Sequence, residues 1–527
     1  MSIVKKSFNL VRCSLIDLVG EEYVHSAISA QSWLTGRDPA ALTAAASEKI
    51  NFFPEAFQKR LIDLLPMVGK TCINGVSGSA TGATSTAFKA NTNQGESPLS
   101  ALGYYRLAEN GRLYLTAKSE HYHVSLGHAF PGYQLLEKAR ILGIPNATHN
   151  NTRGHITRLL EQELIQTAAG IREDDDQLAS VLNTDEPHVL NRVLNLETGS
   201  LAVEAGIKMM LSRFYKIQAD GPATKYTDRI PVFLVMGDMD GGTLANYHGT
   251  TIVTQIMRGM WRDLGSKVEA CNGLAVRGIK PNDLDDLKRA FGMYNTTPYK
   301  VAGFLHEIVL MNYAAFLLNR EFMTMAYDLC HTHDVPVLVD EIQSCIWSPE
   351  IFMYREYDLH PDFVAVGKGM PGGEYAASRI LFSSHMDTMA QFGALVTNGQ
   401  EELAALAYLV TMRWARENAE VTSAVGQHYE DRVHELARKY PDVICAVEGR
   451  RHMIGIYFYD LDHAKTFALT MAAEGMDVSV QTYKAGCPPS ALTKLPLISG
   501  YEVVDFVMDH MSVILEKMLG RSAVMIH

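Results

Sequence analysis

Apolar residues along this chain follow two rhythms. Nearly continuous apolar runs occupy 189–196, 230–236, 301–311, 335–340, 363–366 and 378–382. Between them, apolar positions recur at three and four, notably over 200–215, 244–264 and 320–333. The first rhythm predicts strands buried on both faces, the second amphipathic helices. Their alternation predicts an α/β fold with a mainly parallel sheet covered on both sides. Residues 1 to 70 read as helical segments, and 75–95 as a loop rich in Gly, Ser, Thr, Ala and Asn. Residues 104–115 read as a hairpin turning at Glu109-Asn110-Gly111-Arg112. Past residue 400 the pattern gives a long helix at 401–418, a strand at 453–459 and a last helix at 503–519. Four segments result. These are a helical extension with its loop (1–103), a lead-in (104–180), a large domain (181–400) and a smaller α+β C-terminal domain (401–527).

Composition narrows the class. A chain of 527 residues exceeds one ordinary core, and 47% hydrophobic with 20% charged residues is globular usage. A net charge of −12 argues against nucleic acid or an anionic membrane as the main partner. The seven cysteines are scattered, with no C-x-x-C pair, which reads as a reduced compartment. No apolar run reaches a membrane span, and Asn9, Arg12 and Asp17 interrupt any signal-like start. The expected location is the cytoplasm.

Two apolar runs each deliver an ionisable residue at their C-terminal end. Val335-Pro336-Val337-Leu338-Val339 ends in Asp340, and Phe363-Val364-Ala365-Val366 leads to Gly367-Lys368-Gly369. In an α/β sheet that end is where ligands are held. A carboxylate there can keep a pyridine nitrogen protonated, and an amine can form a Schiff base with an aldehyde. The pair points to pyridoxal phosphate (PLP); a structural salt bridge is the other reading of Asp340. Thr198-Gly199-Ser200 stands where a strand enters a helix, a place for a phosphate or for a plain N-cap. The Tyr247-His248 pair offers an aromatic face for a cofactor ring, and Glu307 a polar contact at a strand end. Other motifs fail. Gly69-Lys70-Thr71 lacks the earlier glycine of a P-loop, and His306-Glu307 lacks the second histidine of a zinc helix. No metal site is expected.

Over roughly 104–519 these segments resemble the class III aminotransferases, the ornithine/GABA/ω-transaminase group of fold-type I PLP enzymes. Leu126-Gly127-His128-Ala129-Phe130-Pro131 is similar to L-G-H-x-x-P, and Thr198-Gly199-Ser200-Leu201-Ala202-Val203-Glu204-Ala205 to S-G-S-E-A-V-E-A. Tyr247-His248-Gly249, Asp340-Glu341-Ile342-Gln343 and Gly367-Lys368-Gly369 resemble the aromatic-H-G, D-E-V-Q and G-K-G segments. Thr397-Asn398-Gly399-Gln400 resembles T-F-G-G. The resemblance implies a fold-type I transferase, with a seven-stranded-type sheet in the large PLP-binding domain. It implies Lys368 as the Schiff-base lysine and proton shuttle, Asp340 on the pyridine nitrogen and Gln343 near the ring hydroxyl. It also implies Tyr247 stacked on the ring beside His248, and Thr198, Gly199 and Ser200 at the phosphate. Thr397 would reach the phosphate of the neighbouring subunit, which implies a homodimer with its active site at the interface.

The substrate half departs from the family pattern. Thr250 stands where the family often has arginine after H-G, and Leu492 takes the arginine of R-x-x-P-P-L, leaving Lys494 as a point charge nearby. The expected function is a PLP-dependent aminotransferase moving an amino group between an amine or amino acid and a carbonyl acceptor. The same cofactor and fold also serve racemases, aminomutases, decarboxylases and lyases. A non-catalytic PLP-fold protein is the remaining alternative.

Overall fold

The computed structural model describes residues 6–89, 94–171, 175–221, 223–481 and 486–520. Residues 90–93 of the small-residue loop therefore lie outside the described residues. The N-terminal region is helical, with helices at Glu21–Thr35, Pro39–Ser47 and Glu55–Leu64. Strands β1 (Pro98–Leu102), β2 (Tyr105–Ala108) and β3 (Leu113–Thr116) form an antiparallel meander that contains the expected hairpin.

Seven strands build the large sheet: β4 (Leu190–Leu196), β5 (Ile230–Met236), β6 (Ala275–Ile279), β7 (Tyr299–His306), β8 (Val337–Asp340), β9 (Phe363–Val366) and β10 (Ser378–Ser383). Their spatial order is β4-β10-β9-β8-β7-β5-β6. Only β10 runs against its neighbours, pairing antiparallel with both β9 and β4. The other six point the same way, so their C-terminal ends share one edge of the sheet. β8 and β9 are buried along their whole length, as strands covered on both faces must be. Helix α1 (Gly199–Leu211) packs across β9 and β10, presenting Ala202, Val203 and Ile207 to the core.

Three expectations change. The single helix at 244–264 is two short helices, Ile252–Met257 and Arg262–Ala270, after an irregular start. Positive φ at Gly249, Gly259 and Trp261 interrupts the helical path there. The strand expected at 301–311 ends at His306, and Val309–Leu310 starts a separate two-stranded ribbon with Phe316–Leu317. β6 was not anticipated: its Ala-Val-Arg-Gly-Ile sequence carries an arginine and a glycine, which suit an edge strand better than a core one.

Helix α2 (Glu402–Glu417) is buried along most of its length and packs on the helix His155–Ala169. Its Trp414 lies 5.6 Å from the Phe8 ring, 6.0 Å from Phe53 and 5.8 Å from Phe130, so the N-terminal extension closes over it. The C-terminal part adds β11 (Ile444–Arg450), β12 (Met453–Phe458), β13 (Met476–Asp477), β14 (Ser479–Val480) and β15 (Ser490–Lys494). Four of them form a sheet in the order β11-β12-β15-β14, while β13 pairs parallel with β3. No helix among the described residues is long and apolar enough to cross a membrane.

Candidate active site

A cavity of about 910 Å³ opens at the shared C-terminal edge of the large sheet. That edge is where crevices of open α/β sheets hold ligands. Nine of the ten residues expected at the site line it: Thr198, Gly199, Ser200, Tyr247, His248, Glu307, Asp340, Gln343 and Lys368. Each comes from the end of a strand, the loop after it or, for Gly199 and Ser200, the first turn of the following helix. Because β10 is reversed, its first residue, Ser378, reaches the same edge. Thr397, the tenth, is exposed and is not among the lining residues.

Asp340 is the last residue of β8 and is buried. One carboxylate oxygen accepts the Ile342 N–H at 3.0 Å, and the other meets His248 Nδ1 at 2.8 Å. Those two contacts fix its orientation. His248 Nε2 is buried with no hydrogen-bond partner among the described residues. Lys368 follows β9 and adopts a φ of 43°, a left-handed conformation that costs a lysine energy. Its neighbours hold it there. Ser125 Oγ donates to the Gly369 carbonyl at 2.6 Å. A Cβ on Gly369 would stand 2.3 Å from Trp347 Cζ3, so only glycine lets the loop lie on that indole. Burial pushes the Lys368 ammonium below its ordinary pKa, against the pull of Glu307 and Asp340.

The start of α1 also lines the cavity. Thr198 caps the helix, its hydroxyl accepting from Leu201 N–H at 3.4 Å, and the first-turn amides of Gly199 and Ser200 face an approaching anion. Ser200 Oγ accepts the Thr250 N–H at 3.0 Å, which leaves its own proton for a ligand. Gly249 has a φ of 134°, and a Cβ there would meet Ser200 Cα at 2.6 Å. The loop can therefore close against the helix start only with glycine. Tyr247 lines the cavity beside it, with the Arg258 guanidinium 5.1 Å from its ring centroid.

The cavity is also lined by residues the sequence reading did not single out, among them His121, Tyr122, His123, Asn312, Ile342 and Tyr375. The His-Tyr-His run just before Leu126-Gly127-His128 was the available signal. Burial, then the charges of Lys368 and Lys118, lower the His121 pKa, and burial lowers that of His123. Lys494 differs from expectation. It is not a charge open to the cavity: it is fully buried, and its Nζ donates to the carbonyls of Tyr122 (3.2 Å) and Gln343. Thr250 is exposed.

The family profile described as aminotransferase class-III matches residues 101–515. An ornithine aminotransferase of rice is 24% identical over 200 residues, 36% of this chain and 42% of that protein. An ornithine aminotransferase of Schizosaccharomyces pombe is 24% identical over 338 residues, 59% of this chain and 70% of its own length. This chain thus spans between about two fifths and seven tenths of those relatives. A Toxoplasma gondii ornithine aminotransferase structure, whose description reports partial occupancy of PLP at the active site, superposes with a TM-score of 0.60 at 18% identity. The match covers 80% of this chain and 88% of that one, and at this identity it shows the shared fold.

Proposed function

Because this chain belongs to the class III aminotransferases, whose profile spans its residues 101–515, we propose that it is a PLP-dependent aminotransferase. It would pass an amino group between an amine or amino acid and a carbonyl compound. The observation that carries this reading is the convergence of Lys368, the Asp340–His248 pair and the start of α1 on one cavity. The residues present fit the cofactor. The volume suits a cofactor with its substrate. A helix N-terminus with two hydroxyls stands ready for a dianion, and an aromatic ring stands ready for a planar heterocycle.

Bound PLP supplies an aldehyde and an electron-withdrawing pyridinium ring. The chain's residues do the rest. Lys368 Nζ holds the cofactor and later takes the proton from the substrate α-carbon, for which a lowered pKa is the right preparation. Asp340, steadied by His248 and the Ile342 amide, keeps a proton on the ring nitrogen. Thr198, Gly199 and Ser200 would hold the phosphate, Tyr247 would cover the ring, and Gln343 would serve its hydroxyl. Glu307 lies on the Lys368 side and favours that lysine's charged form. We further propose a cytoplasmic homodimer in which the exposed Thr397 reaches the partner's phosphate site.

The test is a visible absorption spectrum of the protein loaded with PLP. A band that needs Lys368, fades with an amino donor and returns with a keto acid or aldehyde is the expected result. Consumption of a single substrate with the band unchanged would instead indicate racemase, decarboxylase or lyase chemistry. No lysine-dependent band would overturn the cofactor assignment.

A further inference from the structure

Lys494 is a fully buried lysine whose amine donates to two carbonyls and, among the described residues, pairs with no carboxylate. Burying such a group without a directly paired counter-charge is costly. One carbonyl belongs to Tyr122, in a turn where Ser119, Glu120 and Tyr122 all have positive φ (51°, 58° and 63°) and none is glycine. The other belongs to Gln343, three residues beyond Asp340. The Lys494 amine also sits 3.5 Å from the Trp347 ring centroid, the same indole on which Gly369 rests. Both lysines face the Tyr122 ring, Lys368 at 5.6 Å and Lys494 at 5.9 Å.

The backbone of Lys494 ties the same turn. Its N–H donates to Ala117 O at 2.8 Å, and its carbonyl accepts from Ser119 Oγ at 2.6 Å. From the far side Glu120 is held by Arg106 at 2.6 Å and His128 at 2.9 Å. A strained turn persists only when its surroundings over-determine it, and strain of this kind gathers at working sites.

We propose that Lys494 is a positioning residue of the active site: it clamps the strained 119–123 turn to the Gln343 loop and so sets Tyr122 against Lys368. The clamp needs only two N–H donors, so it holds whether the amine is charged or neutral. The proposal rests on the reading of Lys368 as the reactive amine.

The variant Lys494→Met keeps the length and loses the donors. Hydrogen exchange on the cofactor-free protein should rise at least about tenfold over 119–123 and 342–345, the range expected when such ties are lost. With PLP loaded to wild-type stoichiometry, kcat/KM should fall about 30-fold, and in a Tyr122→Ala background the same change should cost less than about threefold. Unchanged exchange in both segments, or an undiminished effect without Tyr122, would overturn the clamp. If Lys494→Met does not fold, Lys494→Gln sets the N–H donors back by one bond, so that they no longer span both carbonyls. It should raise exchange over 119–123 and lower kcat/KM, and no change in either would equally overturn the clamp. A wild type that binds PLP but does not transaminate would sink the functional reading instead, a result independent of the exchange data.

Discussion

At the scale of single residues, the site divides into groups readable from sequence and groups that are not. Asp340 and Lys368 were legible because each ends an apolar run, and a charge in that place must face a ligand or a partner. Tyr122 was not, and Lys494 was read as a substrate-side charge, because their roles come from a strained turn and a clamp between distant segments that leave no periodic mark. The Asp340–His248 pair lies between these cases: both residues were candidates, but their 2.8 Å contact joins positions 92 apart. We expect Asp340→Asn to lower kcat by about 10² or more, since the amide cannot hold the ring nitrogen's proton, as with other lost electrostatic contacts. Lys368→Ala should remove at least about 10³ of turnover while leaving non-covalent PLP binding measurable by equilibrium dialysis. Turnover surviving in Lys368→Ala would refute the proposed mechanism.

At the scale of elements, the strands of the large sheet were legible and the loops that carry the site were less so. Strands β5 and β9 fall at the expected bounds because buried parallel strands are continuous apolar runs. The stretch 244–264 misled because its apolar spacing is helical, whereas backbone geometry at Gly249 and Trp261 forbids one helix. That error matters, since Tyr247 and His248 reach the cavity only from an irregular loop. Gly249→Ala tests the point. An alanine there must move a φ of 134° or press into Ser200, a cost of about 1–3 kcal/mol. Because the pressure falls on the start of α1, affinity for PLP should weaken about tenfold or more, with a smaller loss in thermal stability of the cofactor-free protein. Unaltered PLP affinity would show that this loop does not support the phosphate end.

At the scale of the whole molecule, folding hides titratable groups in their neutral forms, and this sets how stability responds to pH. His306 and His452 are fully enclosed, and burial pushes each down to about 3. Their folded pKa values lie below the unfolded one near 6.5, so the unfolded chain binds more protons as pH falls below that value. Each therefore removes stability on acidification, by up to about 1.4 kcal/mol per pH unit. Glu341 acts in the opposite direction. Burial raises it to about 7, only partly offset by hydrogen bonds from Ser344 Oγ and the Tyr354 amide, both at 2.6 Å. Its folded form holds a proton that the unfolded form has released, so it removes stability as pH rises from about 4.5 to 7, again by up to about 1.4 kcal/mol per unit. Two single variants separate these effects in the cofactor-free protein. Relative to wild type, His452→Gln should gain stability as pH falls from 6.5 to 5, because it removes one acid-sensitive group. Glu341→Gln should gain over the same window as pH rises, because an amide has no proton to lose. Thermal melts across pH 5 to 7.5 read both. Difference curves of opposite slope are expected, and profiles parallel to wild type would mean that these residues are not held neutral by the fold.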